Sequence, residues 1–126
     1  LMTRMWKAAP DGYLSIQSPR HSRTFCFVDD AIELMVRLSQ NADAIGQAWN
    51  VGTETPEYTV IEVAEIIRSV VRPTIQLVPA DDMEGSPVRR CPSMTKTDLV
   101  TKHRTRVPLE EGVQRTFDWY RRHLLA

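Results

Sequence analysis

Arg23-Thr24-Phe25-Cys26-Phe27-Val28-Asp29-Asp30 is the stretch that decides how this chain reads. Thr24 to Val28 is β-branched and aromatic, which predicts a strand, and Asp29 behind it is a natural helix cap. Arg23 then stands where a strand leads into a helix, a place from which a planar guanidinium can hold a diphosphate in bidentate fashion. One helix length later comes Ala48-Trp49-Asn50-Val51-Gly52, and later still Pro87-Val88-Arg89-Arg90-Cys91-Pro92. Each piece sets a fixed cation or amide at the edge of an element. None of them can carry out a reaction alone.

Working outward, strands and helices alternate. Leu1 to Ala9 reads as a helix already under way, stopped at Pro10-Asp11-Gly12, with no capping residue ahead of it. The expectation is therefore a fragment of a longer chain. Tyr13-Leu14-Ser15-Ile16 alternates as a short strand, and residues 17–22 carry turn chemistry. A helix is predicted from Asp29 through Ser39, with Ala31, Leu34, Met35 and Leu38 on one face. Ala48 to Val51 reads as a strand ended by Gly52. Thr59-Val60-Ile61-Glu62 has the form of a capping box, and Val63, Ile66, Ile67 and Val70 follow at helical spacing to about Val71. Thr74 to Val78 is an extended apolar run, Ala80 to Pro87 an acidic loop, and Thr95 a cap for a short helix to Thr101. Pro108-Leu109-Glu110-Glu111 opens a last helix with acids at its positive end and Val113, Phe117, Tyr120 and Leu124 as its buried stripe. Arg121, Arg122 and His123 close that helix as solvated caps.

Composition excludes several classes of partner. The 126 residues hold sixteen basic and sixteen acidic side chains, so no global field favours nucleic acid or an anionic membrane. No apolar run approaches the roughly 20 residues of a spanning helix, and no signal-peptide pattern opens the chain. Cys26 and Cys91 lack both a disulfide framework and metal-ligand spacing, which fits two small half-buried side chains in a reducing cytoplasm.

The five glycines, at 12, 46, 52, 85 and 112, cannot form G-x-G-x-x-G or a P-loop. None of Tyr13, Tyr58 and Tyr120 has a lysine four residues on, so the Tyr-x-x-x-Lys proton-transfer pair is missing too. His21, His103 and His123 have neither zinc spacing nor a G-x-S-x-G partner, and are read as surface or capping residues.

The order of the pieces resembles the C-terminal, substrate-binding part of the extended short-chain dehydrogenase/reductases, the NAD-dependent nucleotide-sugar epimerases and dehydratases. That family shows a platform strand, an Arg-Asp-Phe/Tyr-x-x-Val-x-Asp motif, a Tyr-Asn-x-Gly motif, a Thr/Ser-x-x-Glu helix and an arginine ahead of Pro-Asp. These look like Leu14 to Ile16, Arg23 to Asp30, Trp49 to Gly52, Thr59 to Ala64 and Arg89 to Pro92. The closing helix is similar over Pro108 to Val113, Thr116 and Trp119-Tyr120. The Arg89-Arg90-Cys91-Pro92 run is nearest to UDP-glucuronate decarboxylases and dTDP-glucose 4,6-dehydratases.

The resemblance implies an α/β fold, residues 1–126 forming a small C-terminal nucleotide-sugar-binding domain that docks on an N-terminal Rossmann domain absent from this chain. It matches Arg23, and Arg90 or its neighbour Arg89, to the diphosphate arginines. Asn50 matches an amide near the ribose, and Leu14 and Ile16 match the platform under a pyrimidine. A salt bridge of Arg23 to Asp29 or Asp82, and a turn-forming role for Asn50, are the alternatives. NAD or NADP would belong to the full-length protein, with none bound by this chain. There the sugar's hydride passes to the nicotinamide while a tyrosine outside this sequence takes the proton. The expected ligand is a UDP- or dTDP-linked sugar, and a homodimer would form through the other half. The alternative is a stand-alone, non-catalytic ligand-binding or protein-interaction module derived from the family. Three departures stand out: Thr24 for an aspartate, Ser93 for the Pro-Asp acid, and Lys102-His103-Arg104 for a Leu-Gly-Trp segment that supplies an aromatic anchor.

Overall fold

The computed structural model describes residues 1–9 and 12–124. Five helices and five short strands follow one another as α1 (Met2–Lys7), β1 (Tyr13–Ile16), β2 (Ser22–Thr24), α2 (Val28–Ser39), β3 (Glu57–Thr59), α3 (Val60–Val71), β4 (Gln76–Pro79), β5 (Arg89–Arg90), α4 (Thr95–Thr101) and α5 (Leu109–His123), with a 3₁₀ turn at Ala42–Ala44. The strands form two small sheets. β1 and β4 run parallel, from Tyr13 opposite Gln76 to Ile16 opposite Pro79. In the other sheet β2 lies between β3, antiparallel to it, and β5, parallel to it.

The capping box forms as its residue types require. Thr59 Oγ1 accepts from the Glu62 amide, and Glu62 accepts from the Thr59 amide at 2.7 Å. Behind this cap α3 buries Val63, Ala64, Ile67 and Val71 against Met5, Leu14, Ile16, Ile75, Val113 and Phe117, and these form the main core. Trp6 tilts against Phe117 with ring centroids 5.5 Å apart. Arg72 bridges from α3 to the end of α1, donating to the Ala8 and Trp6 carbonyls at 2.8 Å. α5 approaches α2 at Gly112, where a β-carbon would stand 3.1 Å from the Phe27 ring, so glycine allows the close contact.

Several sequence expectations need correction. The strand read over Thr24 to Val28 exists only as Ser22–Thr24, because its partner β3 is three residues long and is preceded by Pro56, which has no N–H to donate. Helix α2 starts one residue before the expected cap: Phe27 is the N-cap, without a side-chain bond, and Asp29 lies in the first turn. Of the face assigned to α2, Leu34 and Leu38 are buried, whereas Met35 is exposed. Ala48 to Val51 joins no ladder; the Ala48 and Asn50 carbonyls accept instead from Lys96 Nζ and Thr97 Oγ1. The α5 stripe stops at Tyr120, since Leu124 is the helix C-cap and has left helical geometry. β5 was not foreseen. The stop read at Pro10-Asp11 lies outside the described residues. No helix among the described residues is long and apolar enough to cross a membrane.

Candidate functional site

The sheet β3-β2-β5 gathers the predicted arginines and sorts them by strand alternation. Arg23 and Arg90 are direct partners in the parallel ladder, and Ser22 pairs with Arg89. Successive side chains on a strand point to opposite faces. Arg23 and Arg90 therefore share one face, with Arg89 on the other.

On the Arg89 face the guanidinium is taken. It grips Glu57 with two bonds, Nε to Oε2 at 2.8 Å and Nη2 to Oε1 at 2.6 Å, while the Ser22 hydroxyl donates to the same carboxylate at 3.2 Å. The Arg89 hydrogen bond holds the Glu57 carboxyl below its usual range, and Glu57 in turn raises Arg89. A bidentate pair of this kind leaves Arg89 little capacity for a second anion.

On the opposite face Arg23 also has partners, but they are neutral. Its Nη1 donates to the Ser22 carbonyl at 2.6 Å and the Val88 carbonyl at 3.4 Å. Its Nη2 donates to the Pro87 carbonyl at 2.9 Å and to Ser86 Oγ at 3.3 Å. Neither Asp29 nor Asp82 pairs with it among the described residues, so the expected alternative salt bridge does not form. The exposed Arg90 side chain has no hydrogen-bond or ion-pair partner among the described residues. Two positive charges thus sit side by side without a carboxylate to offset them.

Asn50 lies one loop away. Its side chain donates to the Ser93 carbonyl at 2.9 Å, and its own carbonyl accepts from Thr97 at 2.7 Å, which ties the segment after β5 to that before β3. Leu14 and Ile16 belong to the other sheet and are buried in the main core, at 6% and 3% exposure. The structure thus brings Arg23 and Arg90 together, sets Arg89 on the far face, and keeps Leu14 and Ile16 apart from all three.

Sequence reasoning missed the residues that shape this neighbourhood. His21, expected at the surface, is 3% exposed, with Nδ1 3.4 Å from Ser86 Oγ and Nε2 3.7 Å from Asp82. Ser18 accepts from the Met83 amide. Ser18, His21 and Arg23 therefore all hold the 81–88 loop, and nothing in their local spacing points to partners more than sixty residues away. His103 is the second correction, at 2% exposure. Its Nδ1 stands 3.3 Å from Glu33, within ion-pair range, yet neither ring nitrogen has an aligned hydrogen bond. It lines an open depression of about 390 Å³ with Thr53, Glu54, Asp98, Arg104 and Thr105. No cluster of metal-ligating side chains is present among the described residues. Burial and Asp30 raise the Cys26 thiol, which disfavours the reactive thiolate.

The residues do not fit a dinucleotide. Gly46 and Gly85 are left-handed turn positions, Gly112 lies inside α5, and neither Gly12 nor Gly52 leads from a strand into a helix. No chemical step within this chain is assigned to a nicotinamide.

No protein-family model matches the chain. It is 30% identical over 101 residues to UDP-glucuronic acid decarboxylase 5 of Arabidopsis thaliana, covering 79% of this chain and 29% of that protein. Against UDP-glucuronic acid decarboxylase 1 of Danio rerio it is 33% identical over 109 residues, covering 85% and 25%. The chain therefore spans less than a third of the length of these relatives. Among solved structures, an epimerase of Methanothermobacter thermautotrophicus matches with a TM-score of 0.83 at 25% identity, covering 96% of this chain and 37% of that one. UDP-glucuronic acid 4-epimerase of Bacillus cereus, solved with UDP-glucuronic acid and NAD, shares the fold with a TM-score of 0.81 at 18% identity, covering 97% and 38%. Sequence relatives and shared fold agree with the order of motifs: the chain's homologues are UDP-glucuronic acid decarboxylases, and it shares the fold of the C-terminal part of epimerase/dehydratase proteins of the extended short-chain dehydrogenase/reductase type.

Proposed function

We propose that this chain is the substrate-binding portion of an NAD-dependent nucleotide-sugar epimerase, dehydratase or decarboxylase, and that it grips the diphosphate of a UDP- or dTDP-linked sugar. The observation that carries this reading is the β2–β5 register, which sets Arg23 opposite Arg90 on one face with only neutral partners. Like charges directly opposite on a sheet are unfavourable unless an anion lies between them. Charge-assisted bonds to such an anion are worth about 1.5–3 kcal/mol each. The role is one of proximity, orienting a sugar for chemistry done by residues outside this chain.

Docking on a Rossmann domain is supported by α2. Val28, Ile32, Met35 and Val36 lie along its outward side at 56%, 49%, 50% and 46% exposure. A stripe of this spacing on one helix face fits coverage by another apolar surface.

Titration of the isotope-labelled chain with UDP, followed by backbone NMR, tests the grip. Shifts concentrated at Ser22–Thr24 and Arg89–Cys91, lost in Arg90→Ala with the remaining spectrum intact, are the expected result. No change at those amides at millimolar UDP would refute it.

A further inference from the structure

Away from the arginine sheet, one cavity gathers polar groups that the fold does not use. The depression of about 390 Å³ is walled by the 52–55 loop, by α4 and by residues 103–105, with buried Leu34 and Met94 in its lining. Small-molecule pockets run from roughly 300 to 1,000 Å³, so it has the size for a compact ligand. Its walls are tied to one another. The Met94 amide donates to Glu54 Oε2 at 3.2 Å, Thr97 Oγ1 to the Asn50 carbonyl at 2.7 Å, and the Asn50 side chain to the Ser93 carbonyl at 2.9 Å. The cavity is therefore held open by bonded segments.

Two charges of opposite sign line it unspent. Asp98, half-buried on α4, and exposed Arg104 have no side-chain hydrogen bond or ion pair among the described residues. They stand beyond the roughly 4 Å of a salt bridge, so neither neutralises the other. Glu54, the second carboxylate of the lining, holds only the Met94 amide. His103 adds a buried imidazole, 2% exposed, with neither ring nitrogen in an aligned bond. Its Nδ1 is 3.3 Å from Glu33, whose carboxylate is already shared by Arg37 at 2.7 Å and Arg106 at 3.4 Å. Nε2 has no such neighbour. Buried polar groups are normally bonded, and a bare imidazole on a cavity wall is a place for a partner.

We propose that this cavity binds a small zwitterion of the amino-acid class, its ammonium held by Asp98 and Glu54, its carboxylate by Arg104, with a hydrogen bond to His103. The charges decide the class. A simple anion would meet two carboxylates against one guanidinium, and a simple cation would leave Arg104 unmatched. A bare metal ion does not fit, because no ligating cluster forms among the described residues. A molecule with both charges satisfies both walls and bridges a gap too wide for the two side chains to close. Charge-assisted bonds at each end make such a ligand bind through its two poles together. The site goes beyond the nucleotide-sugar reading and uses none of the residues on the arginine sheet.

The test is an NMR titration of the isotope-labelled chain with L-leucine, whose side chain suits the Leu34 and Met94 lining. Two analogues accompany it: 3-methylbutylamine, which lacks the carboxylate, and 4-methylpentanoate, which lacks the ammonium. L-leucine at millimolar concentration should shift the amides of residues 52–55, 94–98 and 103–105 and the ring nitrogens of His103, and each analogue should bind at least tenfold more weakly. Asp98→Asn and Arg104→Gln should each weaken L-leucine about tenfold, the loss of one charge-assisted bond. Arg104 is exposed, so its variant carries the test if Asp98→Asn does not fold. No shift with L-leucine, an analogue that binds as well as L-leucine, or unaltered affinity in Arg104→Gln would overturn the proposal. UDP is read at Ser22–Thr24 and Arg89–Cys91, so failure of the diphosphate grip leaves this result untouched.

Discussion

The two ends of this molecule are built on opposite plans. Around α1, α3, α5 and the β1–β4 pair, apolar side chains at regular spacing close on one another, and Met5, Ala64 and Ile75 are fully buried. Around α2 and α4, buried polar groups stand beside the apolar Leu34, Leu38 and Met94. Asp30, at 5% exposure, accepts from the Arg106 and Val107 amides at 3.0 Å, Thr97 and Thr101 are buried, and His103 has no aligned partner. The same end leaves Val28, Ile32, Met35 and Val36 outside. The second plan buries polar groups beside its apolar ones and leaves several apolar side chains outside.

The largest effect that would sharpen the contrast lies in the apolar end. Phe117→Ala removes a ring that is 4% exposed and packs on Trp6, so urea unfolding should show a loss of about 3–5 kcal/mol. A loss near zero would mean that the core is not the main source of stability. At the polar end, Asp30→Ala strands two backbone donors at once, and the same measurement should give a loss of about 2–3 kcal/mol. Asp30→Asn keeps an acceptor and should lose less.

A smaller effect separates local from tertiary stability. Thr59→Ala removes the cap of α3 and should cost about 1 kcal/mol. It also changes the acid limb. The Thr59 hydroxyl and amide lower the Glu62 pKa in the folded state, so that carboxylate adds stability above its unfolded pKa and loses it as pH falls through the lower folded value. Unfolding followed from pH 7 downward should fall less steeply in Thr59→Ala through that window. Least of all, Ile32→Gln on the outward face of α2 should change the isolated chain by under about 0.5 kcal/mol. Its effect should appear only as lost association with a Rossmann half supplied in trans. A destabilised isolated chain would show instead that the stripe is already packed.

Legibility follows the range of the forces involved. The capping box, the α3 stripe, the α5 stripe as far as Tyr120 and the order of motifs are set by residues within a few positions of one another, and each is legible in the sequence. That Arg23 lies beside the 87–92 run follows from the β2–β5 ladder, in which it pairs with Arg90. Which arginine is free was not readable. Arg89 and Arg90 are adjacent and chemically identical, and only the β5 register turns one to Glu57 and the other to the open face. His21 and His103 looked like surface residues because their burial comes from elements far along the chain.

By itself, the sequence determined the helices with strong periodicity, the α/β order, and the absence of a dinucleotide glycine loop, because these depend on local spacing and residue type. Tertiary structure alone decided the two-residue strand β5, the face each arginine occupies, and the failure of Ala48–Val51 to form a strand. Ladder pairing and side-chain facing are properties of two segments at once, and no single stretch of chain contains them.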